Sequence, residues 1–243
     1  MDIYFAVLNF TLSGAIALIG ILTLRKVSTP HEVLFALLPL LFALHQFTEG
    51  FVWLGVGGHI HERAFELAAG IFLFYAQGVL PFLVPLSIWL IEKVLWRKKL
   101  LSVLTFLGFG LAVYTMYGLS TIPSSVSVVD NTLFYNNAWT ANYYDAVIYI
   151  LTTCGSLMLS SSISIALFGV LNVIGLTVIF LLRPYGFTSL WCLYAAVISG
   201  LLYFYFVERR IRFLQDLQLK REALGEKLEL ELTALQNRSF FKK

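Results

Sequence analysis

The sequence predicts an all-α membrane protein: a seven-transmembrane-helix bundle over residues 1–207, followed by a C-terminal cytoplasmic amphipathic helix and tail over 208–243. Three observations predict it. Of the 243 residues, 59% are hydrophobic and 13% charged, where a soluble domain has about a quarter charged. The stretches Met1 to Leu24, Leu67 to Ile91 and Ala146 to Leu182 contain no Lys or Arg, and about 20 apolar residues suffice to cross a bilayer. After Glu208 the composition turns charge-rich and helix-favouring.

Taken in order, apolar windows bounded by charge or turn residues fall near 4–24, 33–55, 67–92, 100–118, 144–161, 163–182 and 188–207. The first follows Asp2 rather than a basic region and is expected to stay as a span rather than be cleaved as a signal peptide. Ala146 to Leu182 would overshoot the bilayer as one helix, so a tight hairpin is expected at Ser160-Ser161-Ser162. Pro81 and Pro85 interrupt the third span and free backbone carbonyls, and Pro39 bends the second. In the longest connection, Leu119 to Asn142 and just beyond, Tyr135, Trp139, Tyr143 and Tyr144 suit an interfacial belt. In the tail, Leu214, Leu217, Leu224, Leu228, Leu232 and Leu235 recur at helical spacing, although Arg221 and Glu231 interrupt a coiled-coil seam.

Cationic residues orient the chain in a cell membrane as a multi-pass protein, with the N-terminus outside and the C-terminus cytoplasmic. Arg25, Lys26, Lys93, Arg97, Lys98, Lys99, Arg209, Arg210 and Arg212 fall inside, and Arg63 and Arg183 outside. The lipid bilayer is the first partner. The tail suggests a homo-oligomer or a cytoplasmic partner, and no nucleic-acid role is indicated.

The second span holds the most informative residues. His45, Glu49 and Trp53 are spaced by four and share one helix face. Ionisable groups in hydrocarbon are costly and mark either a functional site or a paired structural bond. Gln46 lies beside them, and Gln77 and Asn172 are lone strongly polar side chains in the central parts of other spans. His45, Gln46, Glu49, Trp53, Gln77 and Asn172 are therefore the candidate ligand or proton site, against the plainer reading in which each makes an interhelical hydrogen bond. Cys154 and Cys192 read as small buried hydrophobes. His59, His61, Glu62 and Glu66 read as a solvated loop rather than a metal site, and no cofactor is indicated. The last span has no Lys for a retinal Schiff base. His45 has no second intraspan His with which to hold a haem, and membrane hydrolases related to ceramidases use several histidines that this chain lacks.

The run Leu22-Thr23-Leu24-Arg25-Lys26-Val27 and the segment from Phe35 through Pro39, His45, Gln46, Glu49, Gly50 and Trp53 to Gly55 resemble a family of uncharacterised bacterial multi-pass membrane proteins. Its second span ends Gln-Gln-x-x-Glu-Gly-x-x-Trp. Here His45 replaces the first Gln, while Gln46, Glu49, Gly50 and Trp53 match. The resemblance implies the architecture and a role for Glu49 without naming an activity. The favoured function is a receptor-like sensor or small-ligand-binding protein with a polar intramembrane site around Glu49. A proton-linked transporter, a membrane-embedded enzyme and an assembly subunit are the alternatives, an enzyme being disfavoured.

Overall fold

Long apolar runs satisfy their backbone polar groups internally by forming helices, the requirement that hydrocarbon imposes on any open chain. The computed structural model describes residues 2–122, 124–137, 139, 143–183 and 185–240, with side chains described as far as Glu231. The chain is 83% helical.

In order, α1 is Asp2–Leu24 and α2 is Val33–Val56, entered through a single 3₁₀ turn, Pro30–Glu32. Then come α3 (Glu62–Phe74), a π-helical turn (Tyr75–Val79) and α4 (Leu80–Ile91), which together form the third expected span. Next is α5 (Leu95–Thr121). A two-stranded antiparallel hairpin follows, β1 (Ser125–Val129) and β2 (Thr132–Asn136), turning through Asp130 and Asn131, both at positive φ. Beyond it lie α6 (Tyr143–Ile150), a second π turn (Leu151–Gly155), α7 (Ser156–Met158), α8 (Ile163–Leu182), α9 (Phe187–Ser199) and α10 (Leu201–Phe240).

Among the described residues, six helical stretches are long and apolar enough to cross a membrane: Asp2–Leu24, Pro30–Val56, Glu62–Ile91, Leu95–Thr121, Ile163–Leu182 and Phe187–Glu231. The window expected at 144–161 is helical from Tyr143 to Met158, a stretch too short to be one of the six. The chain does break at Ser160 to Ser162, where a tight hairpin is expected. Glu92 accepts the Ser161 N–H at 2.7 Å, and Arg97 donates to the carbonyls of Leu159 and Ser160 at 3.2 and 2.6 Å.

The two prolines of α4 act through the carbonyls they release. Pro81 has no N–H for the carbonyl of Gln77, which instead accepts from Thr115 of α5 at 3.4 Å. Pro85 likewise releases the carbonyl of Pro81, and Gly108 of α5 lies against it so closely that a Cβ there would stand 1.9 Å from the oxygen. Helices α4 and α5 therefore pack backbone to backbone, as small residues allow in membranes.

The hairpin corrects the interfacial expectation for two aromatics. Leu133, Tyr135 and Trp139 are buried and pack inward, while Tyr143 and Tyr144 remain exposed. For Tyr135 alternation explains it: Leu133 and Tyr135 share the inward face of β2, and Thr132 and Phe134 the other. The tail is one continuous helix with the end of the last apolar stretch; helix α10 begins directly after Gly200 and runs to Phe240. Leu214, Leu217, Leu224 and Leu228 are exposed on it. The side chains of Leu232 and Leu235 lie outside the described residues.

Candidate functional site

Helix α2 presents His45, Gln46 and Glu49 to the inside of the bundle, all three buried. Two neighbours position them. Helix α1 packs along α2, with Ser13 donating to the Ala43 carbonyl at 2.8 Å. Gly20 and Gly50 make room at this contact, since a Cβ on either would collide with Leu40 or Phe10. Helix α9 lies on the other side.

The carboxylate of Glu49 accepts one hydrogen bond at each oxygen. Gln46 Nε2 donates to Oε2 at 2.8 Å, and the Ser189 hydroxyl donates to Oε1. Gln46 Nε2 also donates to Asn9 Oδ1, and Asn9 in turn donates to the Phe5 carbonyl at 2.8 Å. Asn9, Gln46, Glu49 and Ser189 thus tie three helices together. No Lys, Arg or His forms an ion pair with Glu49 among the described residues, so this buried carboxyl group lacks a counter-charge.

His45, one turn away, does not bond Glu49. Its ring lies between Phe72 (centroids 4.1 Å, planes 14° apart) and Tyr75 (4.5 Å, 28°). Phe72 stacks in turn on Tyr135 of the hairpin (4.7 Å, 11°). The result is a stack of four rings, Tyr75, His45, Phe72 and Tyr135, running from the π turn to the β1–β2 hairpin. Both nitrogens of His45, Gln46 Oε1 and the hydroxyls of Tyr75 and Tyr135 are buried without a hydrogen-bond partner among the described residues. Orphan polar groups in this number are unusual in a protein interior, where most find partners. Cys192 is fully buried, with Glu49, Tyr75 and Tyr135 within electrostatic range.

The remaining sequence candidates lie elsewhere. Trp53 stacks on Phe5 of α1 (4.5 Å, 22°) and contributes packing. Gln77, on the π turn, has a buried side-chain oxygen without a partner, and Asn172 donates to the Phe168 carbonyl at 2.8 Å; neither hydrogen-bonds Glu49 or His45. The described hydrogen bonds therefore do not join these residues to Glu49 or His45 in one network. His61 caps α3, accepting from the Arg63 N–H at 3.2 Å. Among the described residues no three His, Cys, Asp or Glu side chains are placed to share a metal ion.

Asn9, Ser189 and Tyr75 were not singled out by the sequence, and Tyr135 was read only as part of an interfacial belt, not as a site residue. Asn9 carried a signal, as the lone carboxamide of the first span. Ser189 and Tyr135 carried none, because a hydroxyl in an apolar helix and a tyrosine in a polar loop are both ordinary.

The model of a family of unknown function, DUF6629, matches residues 4–216. No curated protein and no solved structure matches the chain.

Proposed function

We propose, for a chain that belongs to the DUF6629 family of unknown function, a receptor-like role in which a small cation is taken up beside Glu49 and its binding is passed to the C-terminal helix. The observation that carries this reading is the bond from Ser189 to Glu49. Ser189 belongs to α9, and α9 leads through Gly200 directly into α10. Whatever changes the Glu49 carboxylate therefore pulls on the helix that becomes the tail.

The ligand class follows from charge. A buried carboxylate without a counter-ion favours a positive partner, and the faces of Tyr75 and Tyr135 are of the kind that attract cations. In the same reading the Tyr143–Met158 helix is the fifth of seven spans in chain order, the N-terminus faces out and the C-terminus is cytoplasmic. Reporter fusions after Lys99 and Lys243 then read cytoplasm, and one at Ser125 reads outside. A C-terminal reporter reading outside excludes the seven-span arrangement.

The exposed leucines of α10 need a cover. The membrane surface is a poor one, because Glu222, Glu226, Glu229 and Glu231 oppose anionic headgroups. We take the cover to be a second copy of the helix. Cysteines placed at Leu224 and Leu228, in a background with Cys154→Ala and Cys192→Ala, test both points in native membranes. Cross-linking is expected to form, to change on adding tetramethylammonium, and to lose that response in Glu49→Gln and Ser189→Ala. An identical response in all three proteins overturns the coupling, and no cross-link at all overturns the dimer.

A proton-linked transporter is the second reading, favoured by the same missing counter-charge at Glu49. Reconstituted vesicles decide it: proton uptake driven by a solute gradient, abolished by Glu49→Gln, supports transport.

A further inference from the structure

Toward the Gly200 end of the bundle from the Glu49 cluster, residues of α2, α4, the Tyr143–Met158 helix, α8, α9 and α10 line a partly open cavity of about 30 Å³. Its walls are mostly apolar, with Leu38, Phe42, Val84 and Phe168 prominent, but Tyr149, Thr153, Trp191 and Asn172 also line it. The hydrogen bonds these four already make leave a definite remainder. Trp191 Nε1 donates to the Tyr149 hydroxyl at 3.0 Å, while the hydroxyl hydrogen of Tyr149 has no acceptor among the described residues. Thr153 donates to the Tyr149 carbonyl at 2.7 Å and its hydroxyl lies 3.8 Å from Cys154 Sγ, a weak thiol contact that leaves one lone pair of the oxygen without a described donor. Asn172 donates through its amide nitrogen to Phe168 at 2.8 Å, and its carboxamide oxygen likewise accepts from no described donor.

One donor and two acceptors remain, which is the complement of a water molecule that accepts one hydrogen bond and donates two. The size agrees: about 10–15 Å³ of such volume holds one water, provided two or more polar groups face it. A purely apolar cavity of the same size would stay dry. The π turn Leu151–Gly155 supplies one of the acceptors, because the extra residue in that turn leaves both Thr152 and Thr153 buried.

We infer that this cavity is a water-binding site, with Tyr149 donating and Thr153 and Asn172 accepting. It is distinct from the Glu49 cluster and does not depend on the ligand reading of Glu49. It also sets a proton-conducting group beside Tyr149, which lies within electrostatic range of Tyr75 and Cys192.

Two tryptophans of nearly equal burial provide the test. Trp191 is 4% exposed and lines the cavity; Trp53 is 3% exposed and does not. Pulsed hydroxyl-radical labelling of the full chain in lipid nanodiscs oxidises buried side chains that touch a bound water. Trp191 is expected to oxidise several-fold faster than Trp53, and Asn172→Leu with Thr153→Val to bring the two rates together. Each single substitution removes one acceptor and lowers the Trp191 rate, so the measurement survives if the double variant does not fold. Equal slow oxidation of Trp191 and Trp53 in the parent overturns the inference. A fast Trp191 rate that none of the variants lowers overturns the assignment of its ligands.

Discussion

Glu32, at the threshold of α2, is paired with Arg209, which lies 177 residues later near the start of the tail. The carboxylate also accepts the Ser28 N–H at 3.0 Å, and Arg209 donates to the Tyr205 hydroxyl at 3.0 Å. Helix α2 is therefore fastened to the α9–α10 unit twice, through Glu49 and Ser189 and again through Glu32 and Arg209. Glu32 is 2% exposed and Arg209 34%, so Arg209→Ala strands a buried carboxylate. Loss of one partner of a buried pair costs about 3–5 kcal/mol, and the partial exposure of Arg209 places this case near the lower end. Unfolding in mild detergent should read that loss, with Arg209→Lys intermediate because a single ammonium replaces a fork of donors.

Gly108 against the Pro81 carbonyl sets up a matched pair of substitutions. Gly108→Ala places a Cβ 1.9 Å from backbone oxygen, whereas a Cβ on Gly110 of the same helix meets nothing within 4 Å. Overpacking costs about 1–3 kcal/mol and more where backbone must move. Gly108→Ala should therefore lower Tm by several degrees, while Gly110→Ala leaves it unchanged or raises it. Equal effects would mean that α4 and α5 do not touch there.

Glu92 supplies a pH dependence at the end of α4. Burial by itself would raise its pKa, but the N–H groups of Val94, Ser161 and Lys93 donate to it and the net value lies below the ordinary 4.5. A carboxyl group with a lower pKa in the folded state contributes stability above its unfolded value, and that stability is lost as pH falls through the folded value. Thermal stability should therefore decline below about pH 4.5. In Glu92→Gln that acid-side decline should be smaller, and stability at neutral pH should be lower by about 1–3 kcal/mol from the bonds weakened. Parallel pH profiles for the two proteins would remove Glu92 from the account.

Ser189→Ala and Asn9→Leu probe the two arms of the Glu49 network. Interhelical hydrogen bonds in membranes average about 0.6 kcal/mol and reach about 1.7. Each variant should fold with a modest loss of that order, and the double variant should lose less than their sum because both act through Glu49 and Gln46. Strict additivity by equilibrium unfolding would show that the arms are independent.

The helical membrane character of the chain was legible from its residues because hydrocarbon leaves an open apolar chain no alternative to helix, and because charges can sit only where water or headgroups receive them. The same logic located the break at Ser160-Ser161-Ser162, the long helical tail and the burial of His45, Gln46 and Glu49. Which groups meet was decided by tertiary structure. Glu49 reaches Ser189 only because α9 packs on α2, 140 residues apart in sequence. The ring nitrogens of His45 have no hydrogen-bond partner among the described residues because Phe72 and Tyr75, three residues apart across the entry to a π turn, close on its ring. Asn172 donates to the Phe168 carbonyl and the Gln77 side-chain oxygen has no described partner, so neither hydrogen-bonds Glu49 or His45. Depth along a span follows from counting residues, whereas rotation about the span is set by packing against neighbours that a single sequence does not name. Tyr135 enters the stack for a further reason: strand alternation, not hydropathy, turns it inward, and a five-residue strand in a polar connection leaves no periodic trace strong enough to read.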